Sequence, residues 1–513
     1  MGALIWEPTV TKTLDKFLDG ISMYRLVLYY LLLLLLAAVG LSFLRILPYD
    51  PLQLVYSALF ITAVAQAANS VFAKAFDAPS HTESVYITAL ILALILSPAQ
   101  SLSDLPLLFW AAVLAMASKY ALAINKKHIF NPAAIAIVLT ALGFNGAASW
   151  WIGTLSLLPF SLLGLLIVLK LRRDDMVFYF FVASFLTMFA FSVDQNGDLL
   201  TVTVQNITSS PLLFFAFVML TEPLTTPPTR FLQVLYGALV GLLSTPPFHI
   251  GSFYTTPEQA LVIGNIFSYL VSPKFKLVST IKNASWIAPD VLEVLVPLPK
   301  RLAFSPGQYM EWTLPHQNPD SRGSRRYFTI ASSPTESVLR LGVKVPPEVS
   351  TYKQAMAKPS SDTIIIGSQL SGDFTLPRNP KQKLAFIAGG IGITPFRSMI
   401  KYLLDTDQPR PIVVLYANRT ADEVVYRDVL DQAQQRLGVR TVYTLTDQTK
   451  CPPDWPGRTG RIDARMIAEE VPDYRERTFY LSGPRGMVTA YEETLKRMGV
   501  PSKQIKTDYF PGL

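Results

Sequence analysis

The run Ala388-Gly-Gly-Ile-Gly-Ile-Thr-Pro395 has the residue types and spacing that suit phosphate binding. Glycines let backbone N–H groups approach an anion closely, and a helix starting at such a turn adds the positive end of its dipole. Thr394 suits a helix cap and Pro395 the first helical turn. Other candidate chemistry is sparse. Cys451 is the only cysteine, which excludes a disulfide within the chain, a four-cysteine iron–sulfur cluster and a cysteine-based zinc site. Four histidines (His81, His128, His249 and His316) are too few and too scattered for a stacked pair of bis-histidine haems. Glu222 and Lys119 sit near the ends of apolar runs, where an ionisable group can serve function or the interface.

A phosphate loop needs a strand before it and a helix after it. Lys383-Leu-Ala-Phe-Ile387 reads as the buried strand and Phe396 to Leu404 has helical spacing. The alternation continues around this loop. Strands are expected at 384–388, 411–417, 440–446, 477–482 and 503–508, and helices at 395–404, 421–436, 463–470 and 485–498. That pattern is a parallel α/β sheet with right-handed crossovers. Upstream, Leu292–Val296, Gln308–Leu314, Arg326–Ile330, Val338–Lys344 and Thr363–Gly367 alternate or are β-branched between turn residues. About six strands in that stretch suggest a small antiparallel β-barrel.

Composition divides the chain. Of 513 residues, 50% are hydrophobic and only 16% charged, and the bias lies before about Val271. Ten apolar segments are expected at 26–45, 52–73, 85–97, 105–124, 130–145, 150–170, 176–193, 208–220, 231–247 and 259–272. The loops 98–104, 146–149, 194–207 and 249–258 hold no Lys or Arg, whereas the alternate connections are basic. Both termini are therefore expected in the cytoplasm, with Arg45 the exception to the pattern. Segments three and eight are short and run into Leu96-Ser-Pro98 and Leu220-Thr-Glu-Pro223. Segments five and ten carry Asn131-Pro132 and Asn265. Matching interruptions five segments apart suggest an inverted repeat of about ten transmembrane helices, with short helices tucked inside a bundle as the plainer alternative. The net charge of +8 fits basic cytoplasmic loops, and nothing points to nucleic acid. The domains expected are a tail at 1–24, a membrane domain at 25–273, a barrel at 274–378 and an α/β domain at 379–513.

Several motifs resemble known families. Over about 275–513 the chain resembles the ferredoxin–NADP reductase superfamily. Arg326-Tyr-Phe-Thr-Ile330 is similar to its flavin motif, Pro306-Gly-Gln-Tyr309 to the neighbouring strand, and Lys344 through Ser350-Thr351 to the pyrophosphate segment. Ser371-Gly-Asp-Phe-Thr-Leu-Pro377 is similar to the stretch that joins the two domains. The resemblance implies FAD held by Tyr309, Arg326, Tyr327, Phe328, Thr329, Ile330, Lys344, Ser350 and Thr351. Arg326 would fork onto the pyrophosphate, Phe328 stack on the isoalloxazine and Thr329 bond near its N5. It also implies NAD(P)H held by Gly389, Gly390, Gly392, Thr394, Pro395, Asn418, Arg419, Gly483, Pro484 and Met487. Ser482 stands where the family usually has cysteine beside the nicotinamide, which implies a slower or retuned hydride step. Phe510, with Tyr509 second, would cover the flavin until nicotinamide displaces it. Arg419 could meet a 2′-phosphate, so NADH and NADPH both stay open.

Over about 25–272 the chain resembles the D subunit of Rnf complexes and the B subunit of the sodium-pumping NADH:quinone reductase. The resemblance rests on Lys127-His-Ile-Phe-Asn-Pro-Ala-Ala134, Leu213 through Pro227 and Gly264-Asn-Ile-Phe267. Those proteins carry membrane flavins, but no Ser/Thr-Gly-Ala-Thr attachment motif occurs here. That leaves non-covalent FMN, riboflavin or a quinone open. The resulting expectation is an enzyme of the inner cell membrane that passes electrons from NAD(P)H through FAD into or across the bilayer. Its acceptor would be a quinone, flavin or redox protein, with electron-transport subunits as further partners. The alternatives are a membrane-anchored reductase of a cytoplasmic acceptor and a redox-gated ion transporter.

Overall fold

The computed structural model describes residues 14, 17–18, 20–78, 82–124, 127–144, 146–194, 204, 211–245, 249–250, 253–273, 276–298, 302–320, 322–346, 349–360 and 362–508. The chain forms two compact units, Met1–Lys276 and Leu277–Leu513, divided close to the boundary that composition marks.

The N-terminal unit is helical. Its longer helices are α1 (Met23–Phe43), α2 (Pro51–Ala75), α3 (Thr82–Ile95), α4 (Leu105–Ala121), α5 (Pro132–Phe144), α6 (Asp174–Asp194), α7 (Arg230–Leu243) and α8 (Pro257–Val271). Local chemistry sets several starts. Asp50 accepts from the N–H groups of Leu52 and Gln53 at 2.7 and 3.3 Å, with Pro51 in the first turn of α2. Thr256 and Gln259 form a capping box on α8. Four helical stretches are long and apolar enough to cross a membrane: Met23–Phe43, Pro51–Ala75, Leu102–Ala121 and Asp174–Phe191. Leu36 and Leu52 project outward from two of them at 68% and 74% exposure, a surface that suits lipid better than water.

Other expected segments are shorter or broken. The apolar run at 150–170 becomes a short 3₁₀ turn and two helical pieces, Leu158–Leu162 and Leu165–Leu171. At the break, a Cβ on Gly164 would press on Phe217 Cβ at 2.9 Å and the Tyr30 hydroxyl at 3.0 Å. Close packing there overrides local helix propensity. The run at 208–220 gives only Leu212–Phe214 and a π-helical Phe215–Met219. The asparagines of segments five and ten meet. Asn131 N–H donates to Asn265 Oδ1 at 2.7 Å, and Asn265 Nδ2 donates to the Tyr236 hydroxyl at 3.1 Å.

The C-terminal unit joins two sheet systems. The first holds β1 (Leu277–Thr280), β2 (Asn283–Ala288), β3 (Val291–Pro297), β4 (Tyr309–Thr313), β5 (Arg325–Thr329), β6 (Val338–Lys344) and β7 (Ile364–Ser371). They form antiparallel sheets in the orders β6-β3-β2 and β1-β7-β4-β5. The chain changes sheet at Ile281 and Lys282, whose N–H groups donate to Thr363 and Leu295 in different sheets. At the other side Ala331 N–H donates to the Arg340 carbonyl at 2.9 Å. These corners give the barrel form that the strand count suggests.

The second system is β8 (Leu384–Gly389), β9 (Ile412–Asn418), β10 (Arg440–Leu445), β11 (Arg458–Thr459), β12 (Thr478–Ser482) and β13 (Ile505–Asp508). All pair in parallel, in the order β11-β10-β9-β8-β12-β13. Helices α10 (Thr394–Asp405), α11 (Arg427–Leu437), α12 (Ala464–Glu470) and α13 (Arg485–Arg497) connect them. The helix expected over 421–436 splits. Ala421–Glu423 is a 3₁₀ turn, Val424 is extended, and Tyr426 takes φ +57 before α11 starts. Successive β-branched Val424 and Val425 favour extended backbone at that point.

Candidate functional site

Sheet order creates the site. The chain leaves β8 toward β9 and β10, then returns to β12 on the other side of β8. Ligands of open α/β sheets bind at that reversal, beyond the carboxyl ends of the strands. The Gly389 loop ends β8, and Ser482-Gly483-Pro484 ends β12. Ala388 and Ser482 are register partners, so two motifs far apart in sequence become neighbours. Missing side chains let them touch. A Cβ on Gly392 would overlap the Ser482 carbonyl and lie 2.6 Å from Gly483 Cα. A Cβ on Gly389 would overlap the Met487 sulfur. Gly390 has φ +54 and open space beside it, which leaves backbone accessible to a phosphate. Thr394 and Pro395 open α10, with Thr394 Oγ1 donating to the Ile391 carbonyl at 3.2 Å.

Asn418 ends β9, one residue beyond the pair Gly389 and Ala417. Both of its amide atoms are buried with no hydrogen-bond partner among the described residues. Buried polar groups are normally satisfied, so this one marks a place for a ligand. Arg419, the next residue, is exposed and pairs with Glu423.

The flavin motif lies on β5, whose Thr329 is paired with Tyr309 of β4. Alternation along a strand places Arg326 and Phe328 on one face. Tyr352 of α9 (Thr351–Ala357) serves both, 5.1 Å from the Arg326 guanidinium carbon and 6.1 Å from the Phe328 ring centre. Tyr327 turns the other way, stacking edge-on to Tyr309 at 5.8 Å and donating to Gln369 Oε1 at 3.0 Å. Thr329 and Ile330 are buried. Ser350 caps α9, and Thr351 Oγ1 accepts from Asp320 N–H at 3.0 Å.

Arg326 shows what this face lacks. Its Nη1 donates to the carbonyls of Arg322, Gly323 and Arg325 at 2.8, 3.1 and 2.6 Å. Its buried Nε has no hydrogen-bond partner among the described residues, and Nη2 lies 3.5 Å from Asp320. Burial pushes the Lys353 amine down to about 8, and the charges of Arg322 and Arg326 push in the same direction. Three cations thus share one carboxylate, Asp320, an excess of charge that a diphosphate would balance. The residues present therefore fit FAD. Lys344 instead has its ion pair with Asp290 at 2.9 Å, at the end of β6. Phe510 and Tyr509 lie outside the described residues, two and one positions beyond Asp508.

Sequence reasoning missed three contributors. Arg322 and Lys353 lie outside the matched motif residues, although Lys353 follows the Ser350 cap by three positions. Arg397 and Ser398 join the two halves of the site. Arg397 Nη1 donates to the Ala331 carbonyl at 3.0 Å, and its guanidinium forks onto Glu336, with Nη2 to Oε1 at 3.1 Å. Ser398 Oγ donates to the Ser332 carbonyl at 2.7 Å. Burial works against the charge of Glu336, but the hydrogen bonds and charge of Arg397 hold its carboxyl below the usual range. The helix that follows the glycine loop is therefore bolted to the segment that follows the flavin strand. No local pattern could reveal that contact.

Residues 386–493 match the model of the oxidoreductase NAD-binding domain. The chain is 29% identical over 211 residues to a flavohemoprotein of Burkholderia sp. strain TH2, covering 41% of this chain and 52% of that protein. It is 28% identical over 202 residues to the glycine betaine monooxygenase reductase subunit of Chromohalobacter salexigens, covering 38% and 53%. Among solved structures, an Amycolatopsis cytochrome P450 reductase aligns at 26% identity and a TM-score of 0.41, over 46% of this chain and 69% of that one. The chain spans about half the length of the curated relatives it matches. The C-terminal half is an FAD- and NAD(P)H-binding oxidoreductase module of the ferredoxin–NADP reductase type.

Proposed function

We propose that this protein is a membrane-bound NAD(P)H:flavin oxidoreductase that sends electrons from NAD(P)H into or across the bilayer to an acceptor. The observation that carries the reading is a single chain joining a reductase module to a helical unit with four membrane-length apolar stretches. When bound, FAD supplies the conversion of a hydride into single electrons. The chain's residues bind and orient. Arg326, Arg322 and Lys353 hold the diphosphate, and the Phe328 face receives the ring. Gly389, Gly390 and Gly392 admit the nucleotide phosphates, and Asn418 meets the ribose. Ser482 lines the hydride path beside Gly392. The Arg397–Glu336 pair keeps the two binding sites in register. Charge neutralisation and preorganisation are thus the chain's share of the catalysis.

The second reading is a membrane-anchored reductase of a cytoplasmic acceptor. It draws support from the relative named as a monooxygenase reductase subunit. It also draws support from the mutual pairing of polar groups in the helical unit. There His128 Nε2 lies 3.3 Å from Glu222, and Thr225 Oγ1 donates to Glu222 Oε2 at 3.1 Å. Sealed inverted vesicles separate the two. With NADH outside, reduction of an impermeant acceptor trapped in the lumen is the expected result. Reduction of an outside acceptor alone would replace the first reading with the second.

A further inference from the structure

We infer that the nucleotide pocket selects NADH over NADPH and that Glu423 is the selecting residue. The inference rests on the reductase reading and names the donor that reading left open. Arg419 is the cation placed to meet a 2′-phosphate at the end of β9, but it is already engaged. Its Nε lies 3.5 Å from Glu423 Oε1, and its backbone N–H donates to Glu423 Oε2 at 3.4 Å. The Glu423 side chain is 13% exposed and that of Arg419 70%. The carboxylate is thus the fixed member of the pair and the guanidinium the movable one.

The neighbouring strand adds a second carboxylate. After β10, Thr446 N–H donates to the Asn418 carbonyl at 2.9 Å and Asp447 N–H to the Arg419 carbonyl at 3.0 Å. Hydrogen bonds from Thr449, with help from Lys450 and Arg419, hold the Asp447 carboxyl below its usual range, so it is charged at neutral pH. Asp422, Glu423 and Asp447 therefore outnumber Arg419 and Lys450 along this rim. A 2′-phosphate would bring a charge of about −2 to an already negative rim. A ribose 2′-hydroxyl would instead donate to Glu423, the arrangement by which an acidic residue favours NAD. The unsatisfied Asn418 amide offers the sugar a second polar contact.

The test uses the full chain in detergent, with calorimetric titration of NAD⁺ and NADP⁺ beside kcat/KM for NADH and NADPH using ferricyanide. NAD⁺ should bind at least about tenfold more tightly, a ratio equivalent to about 1.4 kcal/mol, and kcat/KM should favour NADH. Glu423→Gln should shift the ratio toward the phosphorylated nucleotide by about tenfold, since it frees Arg419. Adding Arg419→Ala to that variant should remove the gain. Equal or tighter binding of NADP⁺ by the natural chain, or an unmoved ratio in Glu423→Gln, overturns the inference. Selective NAD⁺ binding without oxidation of either nucleotide would sink the reductase reading and leave the selectivity standing. Faster oxidation of NADPH would do the reverse.

Discussion

In the C-terminal unit, Arg326 and Asn418 keep buried polar atoms without partners among the described residues. In the N-terminal unit, Asn131, Asn265 and Tyr236 bond to one another. There too the Lys119 ammonium donates to the Ser84 carbonyl and hydroxyl at 3.0 and 3.1 Å. Both sets lie in low-polarity surroundings, where an unmet hydrogen bond costs about 1–3 kcal/mol. The C-terminal unit carries that cost at the places where two cofactors would satisfy it. The N-terminal unit spends its polar groups on closing helix interruptions, at 131–132 and 220–223. An unmet polar group inside a well-packed module is thus a better guide to ligands than a polar group as such.

Substitutions can break this contrast. The largest effect is expected at Arg326. Arg326→Ala removes the central cation of the diphosphate site and should weaken FAD binding by about 3 kcal/mol, roughly a hundredfold. Flavin absorbance per polypeptide after gel filtration measures it, and full retention of FAD would refute the assignment. Gly392→Ala comes next. Its methyl group would meet the backbone of Ser482 and Gly483, which cannot move as a side chain can. Overpacking of about 1–3 kcal/mol should disrupt the loop, abolishing most NAD(P)H oxidation while FAD stays bound. Loss of both functions together would place the loop in the general fold instead of the nucleotide site.

The Lys353 amine sharpens the comparison through pH. Its value of about 8 in the free chain means it is charged below pH 8 and neutral above. A bound diphosphate favours the charged form and raises that value, so FAD affinity should be greatest below pH 8. It should fall as pH climbs through 8 to 9. Equilibrium FAD titration between pH 6.5 and 9.5 reads the slope, and Lys353→Gln should flatten it. An equally steep slope in that variant would assign the titration to another group. The smallest effect on chemistry is expected in the helical unit. Asn265→Ala leaves the Asn131 N–H and Tyr236 hydroxyl without their partner, so stability should drop by about 1–3 kcal/mol. NADH:ferricyanide activity per folded molecule should hold. A selective loss of activity would move this network from structure to electron transfer.

Much of the C-terminal unit was legible because its signals are local. Val338–Lys344 coincides with its expected strand, and the strand at 384–388 and helix at 395–404 fall within one residue of β8 and α10. A strand, a glycine turn and a helix start occupy consecutive residues, so their chemistry is written in one stretch. The first two barrel strands were missed. Leu277–Thr280 and Asn283–Ala288 each expose much of their length, so neither shows a strong apolar alternation. The N-terminal unit was legible as apolar helices but not in their continuity. Gly164 breaks one where Phe217 and Tyr30 press against it from other segments.

The sequence by itself determined the two-part organisation, the order of motifs and the glycines that allow phosphate to approach. These depend on composition and on neighbours within a turn or two. Tertiary structure alone decided that Ser482 would stand beside Ala388, that Arg397 would bind the Ala331 carbonyl 66 residues away, and that Lys353 would join Arg326. It also decided that Arg419 would meet Glu423 with that carboxylate held nearly buried. Pairing and burial depend on which distant segments share a surface, and a residue's charge acts on a ligand only after those partners have taken their share.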